Sequence, residues 1–67
     1  MSHKSDIRDW LKRGGTISPV RALFEFGCYR LAARIKELRD EGYPIITVMV
    51  GEGSERWAEY HLDFDKL

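Results

Sequence analysis

The chain has 67 residues, 43% of them hydrophobic and 33% charged, with eleven Lys and Arg balancing eleven Asp and Glu. That length allows one small domain over residues 1–67, with an ordered core expected over about 5–64; it buries only about 60% of its unfolded surface, so its stability is marginal. The longest apolar run, PIITVMV, is too short to span a membrane, the opening MSHKSDIRDW holds no apolar signal region, and one cysteine with two histidines supplies neither a disulfide nor four zinc ligands. These features point to a cytoplasmic protein with no metal or other cofactor.

A first helix is predicted to begin near Ser5, whose hydroxyl suits a free amide of the first turn, with Asp6 at the positive end of the dipole. Ile7, Trp10 and Leu11 are spaced i, i+3, i+4 and share a face. Lys12 and Arg13 suit the C-terminal end, and Gly14-Gly15 stops the helix. Thr16 and Ile17 read as a short extended connector. Ser18-Pro19 is an N-cap followed by proline at the first helical position, so a second helix is expected over Pro19 to about Phe26. Its apolar stripe would be Val20, Leu23 and Phe24, and Gly27 breaks it.

A third helix is expected from about Cys28 to Glu41. Leu31, Ile35 and Leu38 form its inner face with Cys28 flanking it; Tyr29, Arg30, Ala33 and Glu37 lie opposite, with Arg34 at the edge. Gly42 closes it and Pro44 prevents its resumption. The period then changes from 3.6 to 2. IITVMV reads as a strand, GEGSE as a turn, and RWAEYHLDF as a second strand with Ala58, Tyr60, Leu62 and Phe64 on one side and Trp57, Glu59, His61 and Asp63 on the other. Two such strands make an antiparallel hairpin, whose apolar side would cover the helices. Trp10, Leu11, Leu23, Phe24, Leu31, Ile35, Leu38, Tyr60 and Leu62 are the expected core. Three helices, a short strand at 16–17 and a C-terminal hairpin make an α+β fold of the winged helix-turn-helix kind.

The neutral total conceals an asymmetry. Residues 1–36 carry eight Lys and Arg against three Asp and Glu, a net +5; residues 37–67 carry three against eight, a net −5. Such a chain presents a basic face despite zero net charge; the bland reading is two solvated surfaces of different sign. Lys12, Arg13, Arg21 and Lys36 are candidates for phosphate neutralisation, each worth about −0.9 in the slope of log affinity against log salt. For Lys12 and Arg13 the alternative is stabilisation of the helix end.

The stretch ISPVRALFEFGCYRLAARIKELRDEGYPIITVMVGEGSERWAEYHL resembles the winged helix-turn-helix superfamily. It is most similar to small stand-alone helix-turn-helix proteins of phages and prophages, and to the DNA-binding domain of biotin-repressor-type regulators. RLAARIKELRDEGYPI carries most of the likeness: a recognition helix ending in Leu-Arg-x-x-Gly that leads directly into the first wing strand. The resemblance covers roughly residues 5–64. It implies sequence-specific binding of double-stranded DNA and transcription regulation, with helix 28–41 in the major groove and the second helix crossing the backbone.

Carried over by position, Tyr29, Arg30, Ala33 and Arg34 are the base-reading candidates. A guanidinium donates two hydrogen bonds to guanine O6 and N7, worth roughly 1–3 kcal/mol of discrimination. The alternative for Arg34 is a helical pair with Glu37. Ser18 and Arg21 match the phosphate-contacting region, and Glu52 to Arg56 correspond to the wing tip. This wing departs from the family in offering Glu52 and Glu55 against Arg56 alone. One such module makes a modest interface, on the order of 600–1,000 Å², so specificity would call for a homodimer on a two-fold site.

A second reading is a protein-interaction module in which the acidic hairpin and Trp57, with Met49 as its expected neighbour away from the helices, bind a partner; the same Trp57–Met49 patch on the hairpin is also the expected surface of a homodimer. His3 reads as a terminal residue, His61 as a surface strand residue and Cys28 as a packing residue. No phosphate loop, paired-carboxylate site or nucleophile–base grouping is legible, and an enzyme is not expected.

Overall fold

The computed structural model describes residues 3–67, so the first two residues of the expected 1–67 extent lie outside it. Helix α1 spans His3–Lys12, α2 Pro19–Phe26 and α3 Leu31–Asp40; strands β1, Ile45–Glu52, and β2, Glu55–Leu62, follow, and a 3-10 turn closes the chain at Phe64–Lys66.

Helix α1 turns Ile7 and Leu11 into the core, as their i, i+4 spacing requires. It begins at His3, earlier than the Ser5 cap signal, and His3 is helical instead of trailing. The extra residues are held from outside the helix: the Lys4 ammonium donates to the Glu41 carboxylate at the far end of α3. That hydrogen bond, and then the charge of Glu41, hold Lys4 above its ordinary pKa of 10.5. The small stability this lends is fully present below the ordinary lysine value and is lost as pH rises through the higher folded one.

Helix α2 has the expected bounds because its signals are local. Ser18 is extended, and its Oγ accepts from the Arg21 amide at 3.2 Å. Gly27, at φ 65°, closes the other end, and the Cys28 amide returns to the Ala22 carbonyl at 3.1 Å, the closure a left-handed residue permits.

The buried face of α2 is not the expected one. Ala22 is fully buried, and Phe26 meets Trp10 edge-on with ring centroids 5.8 Å apart. Val20 and Phe24 are 61% and 81% exposed, and Leu23 is also exposed. Residues 22 and 26 form one i, i+4 ridge, residues 20 and 24 the ridge behind it, and a two-turn helix buries one of them. Trp10 decides which: its indole N–H donates to the Thr16 carbonyl at 2.8 Å, fixing the ring as a platform for Phe26.

Helix α3 starts three residues later than expected. Residues 28–30 form a turn in which Cys28 is drawn into the core, and Arg30 sits at the N-cap position with φ −122° and ψ 58°. Leu31, Ile35 and Leu38 are buried as expected, alongside Ile7, Leu11, Ile17, Ala22, Cys28, Ile45 and Leu62.

The strands pair antiparallel from Ile45↔Leu62 to Glu52↔Glu55. The turn is therefore two residues, Gly53-Ser54, and Gly51 and Glu52 belong to β1. Ile17 exchanges both backbone hydrogen bonds with Tyr60, at 2.9 and 2.8 Å, so the expected extended segment at 16–17 adds one pair to the outer edge of β2. Tyr60 and Leu62 face the helices. Phe64 does not continue them: the strand ends at Leu62, Asp63 caps the 3-10 turn by accepting from the Asp65 amide, and Phe64 is exposed.

Gly51 has φ 110°, and a methyl group there would overlap the Glu55 carbonyl oxygen, whereas at Gly53, φ 61°, the space is open. Gly53→Ala is expected to cost about 1–2 kcal/mol for a left-handed alanine. Gly51→Ala has the same handicap and a backbone clash besides, so its loss in urea unfolding should be clearly larger. Equal losses would mean the turn does not have this form.

Candidate nucleic-acid interface

The surface of α3 divides into flanks of different character. One flank carries Arg34 and Glu37, paired at 2.8 Å (i, i+3), and leads to Glu41, where Lys4 of α1 sits. The outward ridge carries Ala32, Lys36 and Asp40, all exposed, with Ala33 half-buried beside it. Lys36 and Asp40 are paired loosely at 3.6 Å with both side chains well solvated. An exposed pair of this kind is worth only about 0.3–0.5 kcal/mol, so Lys36 exchanges partners at little cost.

Ahead of α3, Tyr29 is 86% exposed and Arg30 is exposed. Neither lies in the helix, contrary to the expected 28–41 span; both stand in the turn before its first residue. No side chain caps α3, so its first amides and the positive end of its dipole follow directly on the exposed Tyr29 and Arg30. The four base-reading candidates thus separate. Tyr29 and Arg30 flank an open helix start, Ala33 follows on the helix, and Arg34 is engaged by Glu37, the alternative its spacing had offered.

The phosphate candidates are spread over three elements. Lys12 is exposed at the end of α1, and Arg13, just beyond, borders a groove shared with Asp6, Asp9, Trp10 and Phe26. The Ser18 oxygen accepts from an amide, which leaves its own hydrogen free to donate. Arg21 lies 3.7 Å from Glu25 and stacks its guanidinium 5.8 Å from the Trp10 ring centroid. Among the described residues, Lys12, Arg13, Arg30 and Arg56 are in none of the ion pairs. Arg56 is exposed on the wing opposite Gly51, with Glu52 and Glu55 beyond it.

Trp57 and Met49 are not neighbours on one face. Directly opposed residues of an antiparallel pair share a face, and Trp57 opposes Val50 while Met49 opposes Ala58. Trp57 is also not remote from the helices. Its indole N–H donates to Glu59 at 3.0 Å, and the two side chains border a groove with Ser18, the cap of α2, and with Val20 and Arg21 of that helix.

The residue that sequence reasoning missed is Arg39, which entered only as a charge. Its Nη2 donates to the Ile45 carbonyl at 2.9 Å and to Thr47 Oγ1 at 2.8 Å, Nε reaches the same carbonyl at 3.3 Å, and the guanidinium lies 6.0 Å from the Tyr60 ring centroid. Arg39 ties the end of α3 to the start of β1, the first strand of the hairpin. Its signal was the arginine of the Leu-Arg-x-x-Gly segment, read there as a family mark without a contact attached.

No helix among the described residues is long and apolar enough to cross a membrane. No curated protein and no solved structure matches the chain. The family model of the winged helix-turn-helix domain matches residues 2–63, nearly the whole length. With three helices, a hairpin wing and the Ile17–Tyr60 pairing in place, the chain belongs to the winged helix-turn-helix domain family, whose members are typically non-enzymatic DNA-binding modules, and its fold implies DNA as the partner.

Proposed function

We propose that this protein is a sequence-specific double-stranded DNA-binding protein, a transcriptional regulator of phage or prophage type, that sets α3 in the major groove. The observation that carries the reading is the exposed, cation-bearing start of α3: Tyr29 and Arg30 are exposed immediately before its uncapped first turn, and Lys36 stands on the outward ridge in its second turn. Arg30 and Ala33 read bases, Tyr29 bonds a phosphate or a base edge, and Lys36 neutralises phosphate. Arg34 reads a base only by leaving Glu37. Ser18 and Arg21 at the start of α2, Lys12 and Arg13 after α1, and Arg56 on the wing are the further phosphate contacts.

The test is duplex binding with a site enriched from a random pool. Arg30→Ala is expected to cost about 1–3 kcal/mol on the enriched site and little on random DNA. Lys36→Ala should weaken both alike and reduce the salt slope by about 1. Equal losses from Arg30→Ala on both duplexes would remove its base-reading role.

A second reading, a protein-interaction module built on the acidic hairpin and Trp57, is favoured by the exposed outer face of β1, where Ile46 and Val48 lie on the same side as Trp57. Absence of duplex binding at low salt, both for the wild type and for Glu52→Lys/Glu55→Lys, would leave this reading in place of the first.

A further inference from the structure

We propose that the outward face of α2 is a self-complementary docking surface for the same face of a second copy of this chain. Two ridges make that face. Val20 and Phe24, i, i+4, are its apolar ridge, and Phe24 has no use inside the fold at 81% exposure. Arg21 and Glu25, also i, i+4, run beside it. Trp57 and Glu59 continue the surface past Val20 and Arg21. An aromatic left in water on an 8-residue helix, rimmed by charges, marks an interaction surface.

The charges name the occupant. In an isologous contact, residue i meets j while j meets i. When two α2 helices cross antiparallel about a two-fold axis near the middle of α2, Val20 of each copy meets Phe24 of the other, and Arg21 of each meets Glu25 of the other. The apolar pairs centre the axis at residue 22 and the charge pairs at residue 23, a difference of about 1.5 Å along the helix that the long Arg21 and Glu25 side chains span, so one antiparallel operation serves both; a parallel two-fold puts the two Arg21–Glu25 ridges on opposite sides of the contact and pairs neither. Within one chain, by contrast, Arg21 and Glu25 are weakly held. Arginine N-terminal to glutamate is the less favourable order, and the pair spans 3.7 Å with both side chains about half-exposed.

The surface is small. Two turns of helix with the Trp57 flank fall below the roughly 1,200 Å² typical of stable complexes, so the dimer is a transient one that a two-fold DNA site would reinforce by holding both copies. Arg21 is then an interface residue first, and α2 contributes Ser18 to phosphate. The inference does not depend on the DNA reading, because it is tested without DNA.

The experiment is sedimentation equilibrium of the whole chain without DNA, at concentrations up to about 1 mM. The wild type should approach twice 7.8 kDa as concentration rises. Phe24→Ser should weaken association by roughly thirtyfold or more. Arg21→Glu and Glu25→Arg should each weaken it about tenfold, and the double variant Arg21→Glu/Glu25→Arg should recover it, since its charges again oppose. Glu25→Arg leaves the Arg21 contact with Trp10 intact, and circular dichroism verifies that each variant is folded. A wild type that remains at 7.8 kDa throughout, or a dimer unaffected by Phe24→Ser and both single reversals, overturns the proposal.

Discussion

Ile35→Ala is expected to leave most of the protein unfolded at room temperature. Ile35 is 1% exposed at the centre of the α3 face, flanked by Leu31 and Leu38 and packed in the same cluster as Ile7 and Leu11. Truncating a buried isoleucine costs about 2–5 kcal/mol, the lost transfer energy plus the cavity left behind. A single core in a chain this short supplies rarely more than about 3–5 kcal/mol in total. The substitution therefore removes most or all of the margin, and thermal unfolding followed by circular dichroism should show no folded baseline. Ile35→Val, at about 0.5–1.5 kcal/mol, should keep a lowered transition. The matching control is Phe24→Ala. A phenylalanine of the presumed core would cost about 3–5 kcal/mol; on the exposed ridge of α2 it should change monomer stability by less than about 0.5 kcal/mol. A Phe24→Ala loss comparable to that of Ile35→Ala would mean that α2 turns its Val20–Phe24 ridge, not its Ala22–Phe26 ridge, into the core.

Arg39→Ala is expected to loosen the hairpin while leaving the three helices in place. The guanidinium is the link from the end of α3 to the Ile45 carbonyl and the Thr47 hydroxyl. Hydrogen bonds to a charged group contribute about 1.5–3 kcal/mol each in buried settings; Arg39 is solvent-exposed, so the lower end applies to the whole set. Arg39→Lys should restore little, because an ammonium has neither the planar fork that reaches both acceptors nor the flat face that rests on Tyr60. Hydrogen exchange reads the effect directly. Amides of β1 and β2 should lose protection in Arg39→Ala while those of α1 and α3 keep theirs. Unchanged β1 protection would show that the hairpin is held by its apolar face alone. The functional counterpart is a drop in duplex affinity from a residue that reads no base, since the wing and Arg56 would no longer be set relative to α3.

The elements legible in the chain were those whose signals act within one turn. Ser18-Pro19 and Gly27 bound α2 because a cap, a proline and a left-handed glycine operate on adjacent amides and carbonyls, whatever the rest of the chain does. The hairpin was legible because the change of period from 3.6 to 2 marks it, and its register followed once Gly53 took the turn. Leu31, Ile35 and Leu38 could be assigned to the core because they form a single apolar stripe with no rival.

Where two patterns competed, local spacing held no answer. Helix α2 offers Ala22–Phe26 and Val20–Phe24 as ridges, and hydrophobicity alone favours the second. The first is buried because the Trp10 ring, fixed by the Thr16 carbonyl, receives Phe26, and because a small Ala22 lets α2 approach the core closely. Likewise the start of α3 was set by Cys28 being pulled inward, which unwinds the residues that spacing had made helical and leaves Tyr29 and Arg30 in a turn. The division of the arginines was partly local and partly tertiary: Arg34 is bound by Glu37 one turn along the same helix, the pair its spacing offered, whereas Arg39 is bound by the hairpin and Arg30 has no acidic partner among the described residues. Composition and periodicity thus determined the class of fold, its hairpin and one basic half. Which apolar ridge is buried, and that Lys4 and Arg39 are engaged by other elements, were decided by contacts between residues distant along the chain, because burial and pairing energies depend on what lies opposite a side chain, and that is set only when the elements pack.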